Sequence, residues 1–244
     1  MGRMFSILAL FAILYHGQAS ATTSKSVPIT ATSWLVADAN GQIIQSENSD
    51  QQRSIASITK LMTVMVVLDA HQDLAEFIKP YTRSELIQLA MVKSDNRAAQ
   101  LLCDNYPGGR DACVRAMNTK AQQLGLTKTK YIEPTGISIM NISTAEELVK
   151  IVMVAQTYPD IVSASKTSQV KIKLNKKWFI FHNTNPIIGK RHDFIVSKTG
   201  YIRASGGCIV MMLDTEIGRR IVVVLGSKNT HTRIPEAEFI AKNF

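Results

Sequence analysis

The sequence predicts an α/β protein of the α+β kind, with an antiparallel sheet covered by helices. Strand-like segments lie near both ends of the chain, and a helical block over residues 57–157 separates them. Strands from both ends are expected to join one sheet, because a sheet and its helices must bury their apolar faces against each other. The 244 residues suffice for one sizeable core, so residues 22–244 are predicted to form a single domain.

The N-terminal strands are predicted to form a hairpin. Residues 33–38 and 42–47 are short extended runs around Asn40-Gly41, a dipeptide suited to the positive φ angles of a tight turn. Residues 57–71 form a long apolar run without Gly or Pro, which predicts a buried helix. Further helices are expected over residues 83–93, 96–105, 111–124 and 144–157, and Thr144 and Glu147 have the spacing of a capping box.

The C-terminal part is predicted to be rich in strands. They are expected over residues 167–175, 177–182, 193–199, 208–213 and 220–226. Turn residues at Asn185-Pro186, Gly206-Gly207 and Gly218 separate several of them. Pro235 is expected to open a last helix that runs to the C terminus.

The first residues have the pattern of a secretory signal peptide. Arg3 precedes an apolar run over residues 4–14, and the segment ends in Ala19-Ser20-Ala21. We expect cleavage after about Ala21 and a mature protein in the periplasm or cell envelope. The apolar run is shorter than the roughly 20 residues of a membrane-spanning helix, so no stable transmembrane anchor is expected. An uncleaved N-terminal anchor is the alternative.

The net charge favours an acidic partner. It is +9 for the whole chain and +8 once Arg3 is removed with residues 1–21. The charges read as scattered, without a dense basic block or interleaved aromatic residues, so nucleic acid is not expected to be a partner. A basic exported protein facing a carboxylate-rich cell wall is the simpler interpretation.

The cysteines and histidines show no metal-binding pattern. Cys103 and Cys113 can pair across the turn at residues 106–109 or remain buried thiols, and the sequence leaves both possibilities open. Cys208 lies in an apolar strand and is expected to be a small core residue. Zinc spacings, H-E-x-x-H, the nucleophile elbow G-x-S-x-G and phosphate loops are all absent.

Three short motifs occur in a fixed order along the chain: Ser57-Ile58-Thr59-Lys60, Ser94-Asp95-Asn96 and Lys198-Thr199-Gly200. Together they are typical of class A β-lactamases and penicillin-binding proteins. Each motif alone is weak, and its alternative is an ordinary helix start, helix cap or strand exit. The first two patterns recur elsewhere, at Ser163/Lys166, Ser168/Lys171, Ser46/Asn48 and Ser227/Asn229. None of the repeats combines the order of the three motifs with their context.

The residue types of the first motif fit an activated nucleophile. A serine hydroxyl needs a nearby base, and Lys60 can reach Ser57 because residues three apart share one face of a helix. Burial, and Lys198 as a second cation, would favour the neutral amine that a general base requires. The backbone N–H groups of Ser57 and Tyr201 are candidates for an oxyanion hole.

The other two motifs fit the walls of a cleft. Ser94 can relay a proton to a leaving amine, and the Asn96 amide can hold a substrate carbonyl. Lys198 and Thr199 offer a cation and a hydroxyl to a substrate carboxylate. Gly200 has no side chain, so a peptide can lie along the strand edge there.

Longer segments around these motifs give the chain a resemblance to a known family. They are residues 54–63, 96–99, 106–109, 116–118, Glu133-Pro134-Thr135-Gly136 and Asn183-Thr184-Asn185. The chain resembles the D-alanyl-D-alanine endopeptidases of the low-molecular-mass penicillin-binding type, relatives of the serine D,D-carboxypeptidases. The resemblance covers nearly all of the mature chain.

The resemblance implies a β-lactamase/transpeptidase-like fold with a five-stranded antiparallel sheet and a helical subdomain. It also implies an acyl-serine intermediate, cleavage of D-alanyl cross-links between peptidoglycan peptide stems, inhibition by β-lactam antibiotics, and no metal or organic cofactor. Two departures stand out. The connection over residues 71–83 is shorter than in the family, which puts substrate preference in doubt. The chain also stops soon after its last helix, which favours the endopeptidase branch.

Three alternative functions stay open at this point. One is a D,D-carboxypeptidase that removes terminal D-alanine. Another is a β-lactamase, which is disfavoured because no E-x-x-x-N element is placed to hold a deacylating water. The third is a penicillin-binding sensor that is acylated without peptidase turnover.

Overall fold

A computed structural model describes residues 27–190 and 193–244 and confirms the predicted α/β architecture. The predicted signal peptide over residues 1–21 and its cleavage point at Ala21 lie outside the described residues, as does His192. In the two described ranges, every helix is too short or too polar to cross a lipid bilayer.

The described residues form eleven strands and seven α-helices. The strands are β1 (Ser33–Ala37), β2 (Ile43–Glu47), β3 (Arg53–Ser54), β4 (Phe77–Ile78), β5 (Tyr81–Thr82), β6 (Ile142–Ser143), β7 (Gln169–Leu174), β8 (Lys177–His182), β9 (Phe194–Ile202), β10 (Gly206–Thr215) and β11 (Gly218–Ser227). The helices are α1 (Thr59–Asp69), α2 (Arg83–Gln88), α3 (Asn96–Asp104), α4 (Gly109–Gln123), α5 (Ala145–Ala155), α6 (Pro159–Lys166) and α7 (Arg233–Asn243). A 3₁₀ turn, Ala56–Ile58, precedes α1, and a π-helical turn, Leu89–Lys93, follows α2.

The main sheet has five antiparallel strands in the order β2-β1-β11-β10-β9, so it joins the two ends of the described chain as predicted. Strand β9 forms one edge of this sheet and carries the Lys198-Thr199-Gly200 motif. Strands β7 and β8 form a separate two-stranded hairpin.

Strands β1, β10 and β11 of the main sheet are covered on both faces, which explains their long apolar runs. Side chains alternate across a strand, so Val210 and Met212 of β10 join the core beneath α1 and α5. Their neighbours Ile209 and Met211 join a second core beneath α7. A strand buried on both faces therefore needs apolar residues at every position.

Helix α1 is the centre of the helical layer, and its residues from Thr59 to Val67 are all buried. A disulfide between Cys103 and Cys113, whose Cα atoms are 5.3 Å apart, links α3 to α4 beside it. This pairing resolves the alternative that the sequence left open. Cys208 is a buried free cysteine on β10, as predicted.

Several element boundaries differ from the sequence-based prediction. Ser57 lies in the 3₁₀ turn, and α1 begins only at Thr59. Helix α6 was not predicted, although Pro159 at its first turn is a recognised helix-start signal. The last helix begins at Arg233, two residues before Pro235. A proline is tolerated in the first turn because backbone N–H groups there have no partner within the helix.

Candidate active site

The 3₁₀ turn that carries Ser57 is held between two glycines. A Cβ atom on Gly200 of β9 would lie 2.9 Å from the Ile55 carbonyl oxygen and 3.0 Å from the Ser57 nitrogen. A Cβ atom on Gly136 would overlap the carbonyl of Ala56, which itself has a φ of 45°. The backbone at Ser57 therefore takes its position from close contacts that only glycine allows.

Lys60 lies next to Ser57 and is completely buried. Its Nζ is 2.9 Å from Ser57 Oγ, 2.7 Å from Asn96 Oδ1 and 2.7 Å from the Thr135 carbonyl oxygen. Burial lowers the pKa of Lys60 to about 7, and the charges of Glu133 and Asp95 oppose that shift. Near neutral pH a substantial fraction of this amine is therefore unprotonated and able to accept a proton from the serine hydroxyl.

The second motif enters the site at the junction between the π-helical turn and α3. Ser94 ends the turn with a left-handed φ of 58°. Asp95 then caps α3, because its Oδ1 accepts a hydrogen bond of 2.8 Å from the Ala98 nitrogen. Asn96 follows as the first helical residue, and its amide oxygen faces Lys60.

Lys198 forms a second pair of hydroxyl and amine opposite the first. Its Nζ donates to Ser94 Oγ at 2.7 Å and to the Thr199 carbonyl oxygen at 2.9 Å. The side chain is buried, and burial holds the pKa of Lys198 well below its usual value, with further lowering by the charges of Lys60 and Arg233. The pairs Ser57–Lys60 and Ser94–Lys198 therefore face one site.

The remaining residues of the third motif continue along β9, the edge strand of the main sheet. Thr199 Oγ1 shares a hydrogen bond of 2.6 Å with Thr184 Oγ1, which follows the β7–β8 hairpin. Gly200 places its backbone against the turn of Ser57, and Tyr201 comes next with a half-exposed side chain. The structure thus brings together Ser57, Lys60, Ser94, Asn96, Lys198, Thr199 and Gly200, with Tyr201 at the rim.

A loop that sequence reasoning did not assign to the site completes the surroundings of Lys60. The Glu133 carboxylate accepts hydrogen bonds from Thr135 N at 2.7 Å and from Gly136 N at 2.6 Å. Asn141 Nδ2 donates to the Glu133 carbonyl at 2.7 Å. This network fixes the Thr135 carbonyl toward Lys60. In the sequence, only the family resemblance points to the Glu133-Pro134-Thr135-Gly136 segment.

Arg233 is a second residue that the sequence did not reveal. It lies at the start of α7, is buried, and donates a hydrogen bond of 2.6 Å from its guanidinium to the Gly200 carbonyl oxygen. Its charge also lowers the pKa of Lys198. Only the long-range contact between α7 and β9 identifies it, because no local motif surrounds it.

The arrangement supplies the parts of a serine acyl-transfer site. A hydroxyl lies beside an amine of lowered pKa, a second hydroxyl–amine pair lies opposite, and a strand edge runs past both. Among residues 27–190 and 193–244, no cluster of three His, Cys, Asp or Glu side chains is placed to bind a metal ion.

Comparison with known proteins places this geometry in a family. The model of the D-alanyl-D-alanine carboxypeptidase family, Peptidase S11, matches residues 19–79 and 74–229. D-alanyl-D-alanine endopeptidases of Escherichia coli K12 and Pseudomonas aeruginosa PAO1 are 33% and 35% identical, each over 96% of this chain and 85% and 86% of their own lengths.

The fold matches as well. Penicillin-binding protein D2 of Listeria monocytogenes, solved with ampicillin bound, is 22% identical and superposes with a TM-score of 0.77, covering 88% of this chain and 97% of its own. The chain therefore belongs to the D-alanyl-D-alanine carboxypeptidase family, Peptidase S11, and is a serine-type peptidase of the hydrolase class.

Proposed function

We propose that this protein is an exported D,D-peptidase that cleaves D-alanyl cross-links of peptidoglycan through an acyl-serine intermediate on Ser57, and that β-lactams acylate the same serine. The observation that carries the proposal is the 2.9 Å contact between Ser57 Oγ and Lys60, an amine whose pKa burial lowers to about 7. Two similar relatives are named endopeptidases, which favours cross-links as the substrate.

Acylation begins with proton transfer from Ser57 to neutral Lys60. The serine oxygen then forms a bond to the carbonyl carbon of the substrate's D-alanine, and the carbonyl oxygen becomes an oxyanion. The backbone N–H groups of Ser57 and Tyr201 are the proposed donors to that oxygen. A single donor of this kind typically contributes about 2.7–4 kcal/mol to the lowering of the barrier.

Collapse of the tetrahedral intermediate breaks the peptide C–N bond and needs a proton on the leaving nitrogen. Ser94 can deliver it, since its hydroxyl lies 2.7 Å from Lys198 Nζ and can be reprotonated from an amine. The proton that Lys60 took from Ser57 replaces the one that Ser94 gives up, so the net transfer is one proton from Ser57 to the leaving nitrogen. Water then attacks the acyl-serine by the reverse sequence, with Lys60 again taking a proton.

Binding of the substrate is assigned to the edge of β9. An extended peptide can add to this open strand, while the Asn96 amide holds a carbonyl and Lys198 and Thr199 attract a carboxylate. No step requires a metal or organic cofactor.

The Cys103–Cys113 disulfide supports the export part of the proposal, because disulfides persist in oxidising compartments. The basic net charge of +9 fits a partner rich in carboxylates. The pattern of residues 1–21 remains the reason for assigning a signal peptide, followed by a single peptidase domain over residues 22–244.

Covalent labelling with a fluorescent penicillin tests the nucleophile. Wild-type protein should be labelled and Ser57→Ala should not. Ser163→Ala is the matched control, because Ser163 belongs to a second S-x-x-K pattern on the exposed surface of α6. Label on the Ser57→Ala variant would refute Ser57 as the acylated residue.

Digestion of purified muropeptides tests the substrate. An endopeptidase should convert cross-linked dimers to monomers, and these products should be absent with Ser57→Ala. Release of free D-alanine without cleavage of dimers would instead identify a D,D-carboxypeptidase. Penicillin labelling without either product would identify a sensor without peptidase turnover.

A further inference from the structure

The β7–β8 hairpin exposes apolar and basic side chains on one surface. Trp178 is 65% exposed and Ile180 is 50% exposed, although both belong to a regular strand. Their cross-strand partners are Lys173 and Lys171, respectively. These four residues, together with Lys176 and Lys177 at the turn, are called the hairpin face below.

The two sides of the hairpin have different roles. Val170 and Ile172 point inward and belong to the main hydrophobic core. Lys171, Lys173, Trp178 and Ile180 alternate with them and point outward. Lys176 and Lys177 are exposed at the turn. Packing in the core therefore explains why the inward residues are apolar. It does not explain why the outward residues Trp178 and Ile180 are apolar.

The charge of the protein is concentrated in the same segment. Residues 161–192 contain seven Lys or Arg residues and no Asp or Glu, so they contribute +7 to the net charge of +9. The other 212 residues hold 21 basic and 19 acidic residues and are nearly neutral. The expectation that the charges are scattered is therefore wrong for this segment. It is a basic segment that includes the aromatic and apolar run Trp178-Phe179-Ile180-Phe181.

We propose that the hairpin face docks this protein onto an anionic phospholipid surface. Lysines attract an anionic leaflet, and each one near the surface strengthens binding roughly fivefold. Trp and Ile side chains gain stability on leaving water at the headgroup boundary, which a hydrated polymer offers much less. Basic and aromatic groups already lie together on this surface, because Lys173 Nζ is 5.8 Å from the centroid of the Trp178 ring, a cation–π contact.

The base of the hairpin is fixed to the cleft described above. Asn183 N donates to the Ser168 carbonyl at 2.8 Å, and Thr184 N donates to the Val92 carbonyl at 3.1 Å, beside Ser94. A six-residue strand such as β8 is about 20 Å long. A docked hairpin would therefore hold the cleft within roughly 20 Å of the lipid headgroups. Membrane docking is independent of the chemistry at Ser57.

Sedimentation with lipid vesicles tests the proposal. The mature protein should bind vesicles of phosphatidylglycerol and phosphatidylethanolamine, bind phosphatidylcholine vesicles much more weakly, and dissociate at high salt. The variant Lys171→Gln/Lys173→Gln/Lys177→Gln should bind the anionic vesicles at least tenfold more weakly. The control Lys79→Gln/Lys150→Gln/Lys228→Gln removes the same charge from exposed sites elsewhere and should bind like wild type.

Tryptophan fluorescence gives an independent measurement of apolar insertion. The chain has two tryptophans, and Trp34 is only 5% exposed, so a blue shift on vesicle binding reports Trp178. The shift should disappear in Trp178→Phe. Unchanged circular dichroism and melting temperature would show that each variant is folded.

Three results would overturn the proposal. One is equal binding of wild type to anionic and neutral vesicles. Another is an equal loss of binding in the hairpin and control lysine variants, which would indicate a general charge effect. The third is a hairpin variant that binds vesicles normally but loses binding to purified sacculi, which would identify the wall polymer as the partner.

Discussion

The cleft and the hairpin face depart from the usual distribution of residues in opposite ways. The cleft buries two lysines, with Lys60 0% and Lys198 1% exposed. The hairpin face leaves Trp178 65% and Ile180 50% exposed. Burying an amine and exposing a large apolar side chain both reduce the stability of the folded state. Neither arrangement is therefore explained by stability of the fold.

The two regions differ in how that loss is compensated. Lys60 has three hydrogen-bonding partners and Lys198 has two, all from the same chain. Nothing in the described residues covers Trp178 to the same extent. An arrangement satisfied internally indicates a preorganised reaction site, whereas an unsatisfied apolar surface indicates a partner from outside.

The largest difference between the regions is expected for one substitution made in both. Lys60→Met keeps the volume of the side chain but removes the proposed base, so acylation by penicillin should slow by about 10²–10⁴-fold. Lys173→Met on the hairpin face should leave that rate unchanged. Stopped-flow measurement of acylation checks both. A Lys60→Met variant within tenfold of wild type would show that another group takes the proton of Ser57.

Tryptophan substitutions compare the stability of buried and exposed positions. Trp34 packs beneath α7 against Phe244 and donates a hydrogen bond to Glu47, so Trp34→Ala should lower the free energy of unfolding by about 3–5 kcal/mol. Trp178→Ala should change it by less than about 0.5 kcal/mol. Urea unfolding measures both values. A large loss for Trp178→Ala would mean that its exposed ring supports the fold, and the contrast with Trp34 would fail.

Glycine substitutions test how tightly the cleft holds its backbone. Gly136 has a φ of 83°, and an added Cβ would overlap the Ala56 carbonyl. Gly125, at the end of α4, has a φ of 67° but no atom within 4 Å of an added Cβ. Gly125→Ala should therefore lower the free energy of unfolding by about 1 kcal/mol, the cost of a positive φ in alanine alone. Gly136→Ala should lower it by about 1–3 kcal/mol more, because of the added overlap. Equal losses would show that the loop moves freely away from Ser57.

Sequence patterns identified the parts of the molecule whose signals are local. Apolar runs revealed the strands β10 and β11 and the buried helix α1, because a sheet covered on both faces and a central helix need continuous apolar residues. The three motifs also predicted which polar side chains line the cleft, because a nucleophilic hydroxyl, an amine and an amide each come from only a few residue types.

Other features arise only when distant segments meet. The Thr135 carbonyl that binds Lys60 belongs to the backbone, which has no sequence signature. Arg233 meets Gly200 across a separation of 33 residues, in a contact between α7 and β9. Strands β3 and β6 have two residues each, too few for a periodic pattern.

The smallest predicted effect concerns the pH dependence of the cleft. Lys60 must be neutral to accept the proton of Ser57, so acylation should rise with pH and level off above its pKa of about 7. The negative charge of Asp95 raises that pKa by favouring the protonated amine. Asp95→Asn removes the charge but keeps a good N-cap for α3, so the acidic limb should move to lower pH by roughly a few tenths of a unit.

A matched pair of pH profiles makes this shift measurable. Asp160→Asn, in the first turn of α6, removes the same charge at a helix start outside the cleft and should leave the limb in place. A shift to higher pH in Asp95→Asn would mean that lost packing at the cap outweighs the lost charge. If neither variant shifts the limb, solvent screens the charge of Asp95 from Lys60. That result would contradict the expectation that nearby charges control the protonation of this buried amine.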